Sequence, residues 1–171
     1  MVEKPANEMR KIPLTQGKLA LVDDDDYDRV KKLKWCAAQN RGTWYAIHGR
    51  DPPVYLHRFI LNAKTGDECD HVNGDGLDNR RHNLRFCNPS QNQANSGKHR
   101  FHYGRPTSSL YKGVYWHKRD RNWQASIRLG YRGKFLGCFG DENQAAEAYD
   151  SAARTYFGSF ARLNFPEESM Q

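Results

Sequence analysis

The segment from Asn73 to Asn79 constrains the fold more than any other part of the sequence, because every residue in it except Leu77 is a common turn former. Cys69-Asp70-His71 comes before it, and Leu84-Arg85-Phe86 comes after it. Short segments of strand-forming residues on both sides of a turn-rich stretch predict an antiparallel hairpin. We therefore expect Asp70 and His71 to end one strand of a hairpin with a long loop.

A short helix is predicted directly after the hairpin. Asn88 is a good N-cap residue and Pro89 suits the first helical position, so the helix should begin there and end near Ser96-Gly97. This placement puts Asn92 about one turn inside the helix. A hairpin followed by a helix brings a carboxylate, an imidazole and a carboxamide toward one groove, a set of groups able to hold a metal ion and a base against a phosphodiester.

This pattern resembles the HNH nuclease family of the ββα-metal or His-Me finger type. The matching residues are Asp70-His71, the loop 73–79, Asn83-Leu84-Arg85, and Asn92 in Ser90-Gln91-Asn92-Gln93. The third position of the family pattern is Asn here rather than His, a variant that looks like the one in phage homing endonucleases. A carboxamide oxygen is a neutral ligand, but it still suits Mg²⁺, a cation that prefers oxygen.

The resemblance implies a role for each matching residue. Neutral His71 takes a proton from the attacking water, and Asn83 orients its ring. Asp70 and Asn92 hold one Mg²⁺ or Mn²⁺ ion at the scissile phosphate. Three arginines near the motif are candidate clamps for flanking phosphates, with ordinary surface charge as the alternative: Arg80, Arg81 and Arg85. His57 is expected to have a structural or phosphate-contacting role.

The N-terminal part, residues 1–56, is predicted to be a scaffold of short strands around one helix. Asp23 to Asp26 precede Tyr27 and Val30. Asp is favoured at the N-cap and in the first helical turn, so this interpretation is preferred to a metal site. The four cysteines are far apart and form no CxxC pair, which favours reduced thiols.

Basic residues are concentrated in one part of the chain. Residues 98–134 contain ten lysines and arginines against Asp120 alone, a net charge of +9, and aromatic residues such as Tyr115 and Trp123 lie between them. This combination is typical of nucleic-acid binding, although charge alone leaves DNA, RNA and an anionic membrane open. Residues 97–108 have almost no apolar periodicity and are predicted to be a basic linker.

Residues 109–166 are predicted to form three antiparallel strands followed by a helix. In the second strand, Trp123, Ala125 and Ile127 alternate with polar residues, so one face should be apolar and the other polar. Five residues between Ala145 and Ala153 recur at helical spacing, and small alanines let the helix lie close to the sheet. Residues 167–171 are a tail.

This part resembles the plant Apetala-two or ethylene-response-factor DNA-binding domain. The matching segments are 111–114, 123–128, 136–139, 145–153 and 163–166. The resemblance implies that the sheet lies in the major groove, where all base pairs are distinguishable. The DNA-binding residues expected here and in the linker are Lys98, Arg100, Arg105, Lys112, Tyr115, His117, Arg119, Gln124, Ser126, Arg128, Arg132 and Lys134.

The sequence therefore predicts an α+β protein with a ββα-metal nuclease core at residues 57–96 and a DNA-reading domain at residues 109–166. We expect a site-specific, nicking homing endonuclease that acts on double-stranded DNA as a monomer, in the cytoplasm of the host of a phage or mobile element, and that is neither secreted nor bound to a membrane. The alternative is a DNA-binding regulator that has lost cleavage. RNA is a weaker candidate because its major groove is deep and narrow.

Overall fold

The computed structural model describes residues 8–98, 101–102 and 105–166, with the backbone alone for residues 101, 102 and 105. The chain divides into two compact units, one that ends at Asn88 and one that begins at Pro89. Both units combine α-helices with small antiparallel sheets, which confirms the α+β class. Within the described ranges, every helix is too short or too polar to cross a membrane.

The first unit consists of three small sheets and two helices. The elements in chain order are β1 (Met9–Pro13), β2 (Leu19–Asp23), α1 (Asp24–Val30), β3 (Cys36–Asn40), β4 (Thr43–His48), β5 (Val54–Tyr55), α2 (Leu56–Leu61), β6 (Glu68–His71) and β7 (Leu84–Cys87). Strands β1 and β2 pair, β3, β4 and β5 form one sheet, and β6 pairs with β7. The hairpin predicted around residues 73–79 is therefore confirmed.

One apolar core joins the N-terminal elements to the hairpin. Val22, Val30, Leu56 and Ile60 are completely buried in it, and Leu84 of β7 packs in the same cluster. Helix α2 begins at Leu56, directly after β5. The spacing of Leu56 and Ile60 puts both side chains on one helical face, and that face is buried in the core.

The acidic residues at the start of α1 favour the helix terminus and also accept hydrogen bonds from a distant part of the chain. Asp23 occupies the N-cap position as predicted, but its carboxylate makes no cap hydrogen bond and instead accepts one from the backbone N–H of Arg81 (2.7 Å). Asp26 is 1% exposed and accepts hydrogen bonds from Nε and Nη2 of Arg81 (2.7 and 2.8 Å) and from Arg29 (2.8 Å). Helix α1 thereby anchors the 3₁₀ turn Arg81–Asn83.

The loop between β6 and β7 is held against β2 and β4. Leu21 donates its N–H to the carbonyl of Leu77 and accepts the N–H of Asn79, both at 2.8 Å. Gly76 lies so close to β4 that an added Cβ would overlap the carbonyl oxygen of Trp44 and the ring of Tyr45. Only glycine fits there without displacing the strand. The turn-rich loop is therefore an ordered part of the first unit.

The second unit begins with a short helix and ends with a sheet packed on a long helix. Its elements are α3 (Pro89–Asn95), β8 (Phe101–His102), β9 (Arg105–Pro106), β10 (Val114–His117), β11 (Asn122–Leu129), β12 (Arg132–Phe139) and α4 (Glu142–Phe157). Strands β10, β11 and β12 form one antiparallel sheet in that order. Helix α3 begins at Pro89 as predicted, and β8 and β9 form a two-residue ladder inside the predicted linker.

The sheet packs on α4 through small side chains. Ala145, Ala146 and Ala153 of α4 have no exposed surface, and Ala125 and Ile127 of β11 face them in the two apolar clusters of this unit. Asp141 caps α4 by accepting hydrogen bonds from the N–H groups at positions 143 (2.8 Å) and 144 (3.1 Å). The opposite face of the sheet carries no packed helix among the described elements.

Candidate functional site

Strands β6 and β7 bring the predicted metal ligand and the predicted base to one end of the hairpin. In the antiparallel register Asp70 is opposite Arg85, and His71 is opposite Leu84. Asp70 is 8% exposed and His71 is 6% exposed. Adjacent residues of a strand point to opposite faces, so the carboxylate and the imidazole leave β6 on different sides.

Asp70 forms an ion pair with Arg85, which the sequence had assigned to a DNA phosphate. Oδ2 of Asp70 accepts hydrogen bonds from Nη2 (2.9 Å) and Nε (3.2 Å) of Arg85. The guanidinium balances the charge of a buried carboxylate. A carboxylate oxygen is a suitable donor for Mg²⁺ or Mn²⁺, so the chemistry fits the predicted cation, which would compete with Arg85 for Asp70.

His71 lies in an aromatic environment. Its ring centroid is 4.8 Å from that of His57 in an edge-to-face arrangement and 6.0 Å from that of Tyr45. Burial lowers the pKa of His71, and burial together with the neighbouring His71 lowers the pKa of His57 to about 3. Loss of hydration disfavours the charged form of an imidazole, so both rings are neutral at pH 7.

The loop supplies a hydrogen-bond acceptor for His71 that the sequence prediction missed. Nε2 of His71 lies 3.4 Å from Oδ1 of Asn79, a long hydrogen bond, and Nδ2 of Asn79 is directed to the carbonyl of Gly76 (3.5 Å). A carboxamide oxygen only accepts, so this contact favours the tautomer with the hydrogen on Nε2 and the lone pair on Nδ1. The prediction treated Asn79 as a turn former, and its complete burial is the signal that the sequence does not show.

The side chain of Asn83 makes its hydrogen bonds to the loop between β6 and β7. Its Oδ1 accepts the backbone N–H of Asn73 (3.0 Å), while its Nδ2 donates to Oδ1 of Asn73 (3.0 Å) and to the carbonyl of Asp78 (2.7 Å). These bonds hold both ends of the loop that presents Asn79. The effect of Asn83 on His71 in this structure therefore passes through the loop that presents Asn79.

The other two arginines of the motif are also engaged in ion pairs. Arg80 binds Asp78 through Nε (2.8 Å) and Nη2 (2.7 Å), and Arg81 binds Asp26 in the same two-pronged way. Their primary contacts in this structure are structural. The side chain of Arg81 remains 51% exposed and that of Arg80 31% exposed, so phosphate contacts by these residues stay predictions.

Asn92 lies in α3, which belongs to the second unit, and its side chain is exposed. Its pairing with Asp70 on a cation stays a prediction. Among the described residues, no group of three His, Cys, Asp or Glu side chains is placed to hold a metal ion.

The outer face of the second unit's sheet carries several of the predicted DNA contacts. Tyr115 pairs with Gln124 across β10 and β11, and its hydroxyl donates to Oε1 of Gln124 (3.0 Å). Ser126 is opposite Phe135, which is 56% exposed, and Arg128 is exposed. Because opposed residues share a face, Phe135 lies on the outer face, which the sequence had predicted to be polar.

The remaining predicted contacts have different environments. Lys98 donates to the carbonyl of Val114 (3.2 Å), and Lys134 donates to the hydroxyl of Tyr156 on α4. His117 and Arg119 both lie 3.1 Å from the carboxylate of Asp120. Arg132 is exposed and is opposite Leu129. The Lys112 ammonium binds backbone carbonyls of residues 93, 94 and 96. Arg100 and the side chain of Arg105 lie outside the described residues.

Comparison with known proteins gives one relative that covers most of the chain and others that cover about a third of it. An uncharacterised HNH endonuclease of Acanthamoeba polyphaga mimivirus is 30% identical over 155 residues, which are 87% of this chain and 76% of that protein. The AP2-like ethylene-responsive transcription factor ANT of Arabidopsis thaliana is 43% identical over 60 residues, 34% of this chain and 11% of that protein. Dehydration-responsive element-binding protein 2D of the same plant is 48% identical over 65 residues, 35% of this chain and 30% of that protein. No family model matches the chain.

The buried imidazole of His57 predicts a loss of stability in mild acid. The pKa of His57 is lowered to about 3 in the folded chain, so below its ordinary value of about 6.5 the unfolded chain binds the proton and the folded chain does not. The free energy of unfolding should therefore fall as the pH decreases from 7 to 5, by about 1 kcal/mol per pH unit on average from this group.

Substitution His57→Phe keeps an aromatic ring and removes the titration. Urea unfolding of both proteins over this pH range should give a smaller loss of stability for the variant. Equal losses would show that His57 does not exclude the proton in the folded state.

Proposed function

This chain belongs to the HNH endonuclease family, and we propose that it hydrolyses a phosphodiester bond of double-stranded DNA with one divalent cation and a histidine base. The observation that supports this proposal most directly is the geometry of His71. The ring is buried and neutral, it is adjacent in sequence to the carboxylate of Asp70, and Asn79 accepts a hydrogen bond from its Nε2.

His71 acts as the general base in this proposal. Its Nδ1 lone pair accepts a proton from a water molecule as that water attacks the phosphorus atom. Proton transfer to Nδ1 makes the ring cationic, and the long hydrogen bond from Nε2–H to Asn79 Oδ1 strengthens as that charge develops. The neutral starting state follows from burial, which keeps the base available at pH 7.

Asp70 would hold the cation together with Asn92, both through oxygen atoms. When bound, Mg²⁺ or Mn²⁺ neutralises the charge that develops on the leaving 3′ oxygen. Arg85 contributes to this site as the partner of Asp70. The guanidinium of Arg85 remains a candidate for the phosphate contact that the sequence predicted, since it lies beside the proposed cation ligand Asp70.

Site choice is proposed to reside in the sheet of the second unit, and the plant proteins that resemble part of this chain include one named Dehydration-responsive element-binding protein 2D. An exposed arginine suits guanine, a serine hydroxyl accepts or donates, and a phenylalanine suits the methyl group of thymine. These properties are found in Arg128, Ser126 and Phe135 on the outer face. We propose a homing enzyme that acts as a monomer and cuts one strand in each encounter.

A second function is favoured by the ion pair between Asp70 and Arg85. The carboxylate of Asp70, the predicted metal ligand, is paired with a guanidinium instead. This pairing is compatible with a DNA-binding regulator that does not cut. The two functions differ in one measurable respect, since both bind DNA but only the nuclease changes it in the presence of Mg²⁺.

Removal of the imidazole should separate cutting from binding. We expect His71→Ala to abolish Mg²⁺-dependent nicking, since it removes the proposed base, and to leave DNA affinity within about twofold because the ring is buried. Plasmid relaxation and filter binding measure the two properties. His82→Ala, which removes an exposed histidine of the same segment, is the control and should cut normally. Normal cutting by His71→Ala would end the proposed mechanism.

Arg128 should discriminate between bases. Arg128→Ala is expected to weaken binding by about 1–3 kcal/mol at sites that keep one or two particular base pairs, and to lose that preference when those pairs are changed. Arg154→Ala on α4 removes the same charge from the helix side of the sheet and should lower affinity slightly for every sequence. A uniform loss for Arg128→Ala would make this residue a phosphate contact.

A further inference from the structure

Lys112 has an environment unlike that of a DNA contact. It precedes β10, and its ammonium donates hydrogen bonds to three backbone carbonyls, those of Gln93 (3.4 Å), Ala94 and Ser96 (2.7 Å). These carbonyls belong to the end of α3 and the residue that follows it, where a helix lacks its own donors. A cation at this end also interacts favourably with the helix dipole. Lys112 therefore caps the C-terminus of α3.

The backbone of Lys112 is fixed as firmly as its side chain. Its N–H donates to Oδ1 of Asn164 (2.7 Å), and its carbonyl accepts from Nδ2 of Asn164 (3.1 Å). Asn164 in turn donates its backbone N–H (2.8 Å) and its Nδ2 (3.1 Å) to Asp150, which is 1% exposed on α4. A continuous set of hydrogen bonds thus links α4, through Asn164 and Lys112, to α3.

Two further contacts attach α3 to the same unit. The carbonyl of Ala94 also accepts the backbone N–H of Arg162 (3.3 Å). Ala94 is 4% exposed and Asn95 is 7% exposed, and α3 packs against α4 and the 3₁₀ turn Gly158–Phe160. Helix α3 is therefore part of the body that contains the three-stranded sheet.

The ammonium of Lys112 has no N–H left for a phosphate or a base. Burial lowers its pKa to about 8, so at pH 7 the group is still protonated, and its three N–H groups match the three carbonyls. The resemblance to the plant domain implied a DNA contact for this residue. In this structure the ammonium of Lys112 instead donates its hydrogen bonds to backbone carbonyls.

We propose that Lys112 is a positioning residue that locks α3, and with it Asn92, to the DNA-reading sheet. The predicted metal ligand on α3 then moves with the sheet, and docking of the sheet on DNA limits where Asn92 can be. The inference rests on the proposed function, because Asn92 acts on a cation only if the chain is a nuclease. It goes beyond that function because it makes one lysine the physical link between the sheet that recognises the DNA site and the helix that carries the predicted metal ligand.

The test compares full-length Lys112→Met with the unchanged protein by two measurements. Hydrogen exchange of the backbone amides from Gln93 to Ser96 should become about tenfold faster or more, because three hydrogen bonds from a cation are lost. The Mg²⁺ concentration that gives half-maximal cleavage should rise, while DNA affinity measured in EDTA should change by less than about twofold. Lys112→Arg retains donors and charge and should restore part of both properties.

Lys118→Met is the matched control. It removes the same charge from an exposed side chain of the same unit, so α3 exchange and the Mg²⁺ requirement should stay as in the unchanged protein. Unchanged exchange of α3 in Lys112→Met would overturn the proposal, as would a loss of DNA affinity with an unchanged Mg²⁺ requirement.

If the unchanged protein cuts no DNA, the proposed function and the role of Asn92 fail, while faster exchange would still establish the cap. If Lys112→Met does not fold, the same exchange and Mg²⁺ measurements on Lys112→Gln, which removes the charge, decide the question, and values equal to those of Lys118→Met would overturn the proposal.

Discussion

The hydrogen bonds between Arg81 and the acidic start of α1 are the interaction on which the candidate active site depends. Asp23 and Asp26 hold the backbone and side chain of Arg81, and this fixes the 3₁₀ turn that contains Asn83. Asn83 binds both ends of the loop at Asn73 and Asp78, and the loop presents Asn79 to His71. The protonation pattern of the base is thus set by a series of contacts that begins at a helix terminus far away in sequence.

These contacts are made by buried polar groups, and the first unit tolerates their burial because all of them are paired. Among the described residues, every buried side-chain nitrogen or oxygen has a hydrogen-bond partner. Asn79 and Asn83 are 0% and 4% exposed, so loss of a partner for either would leave an amide unsatisfied in a region of low dielectric. Such networks define one arrangement of the loop, which suits a site that must hold an imidazole in one tautomer.

Local sequence patterns predicted the elements well and the long-range contacts poorly. Turn formers, the N-cap Asn88 with Pro89, and the alternation in β11 placed the hairpin, α3 and the sheet correctly, because each is decided by neighbouring residues. The sequence did not predict that Arg81 binds Asp26, 55 residues away, or that Lys112 binds carbonyls 16 to 19 residues away at the end of α3 and just after it, because these partners are brought near by folding alone. The roles of Asn79 and Phe135 depend on burial and register, which a single sequence does not reveal.

The central claim, that this chain cuts duplex DNA with a divalent cation, is tested most directly by incubating it with a supercoiled plasmid that carries the DNA flanking its own gene. The reaction is run with Mg²⁺ and with EDTA, and nicked and linear products are separated on a gel. The account predicts nicked plasmid with Mg²⁺ and none with EDTA. Binding of the plasmid without any conversion in Mg²⁺ or Mn²⁺ would contradict it and would favour the DNA-binding regulator.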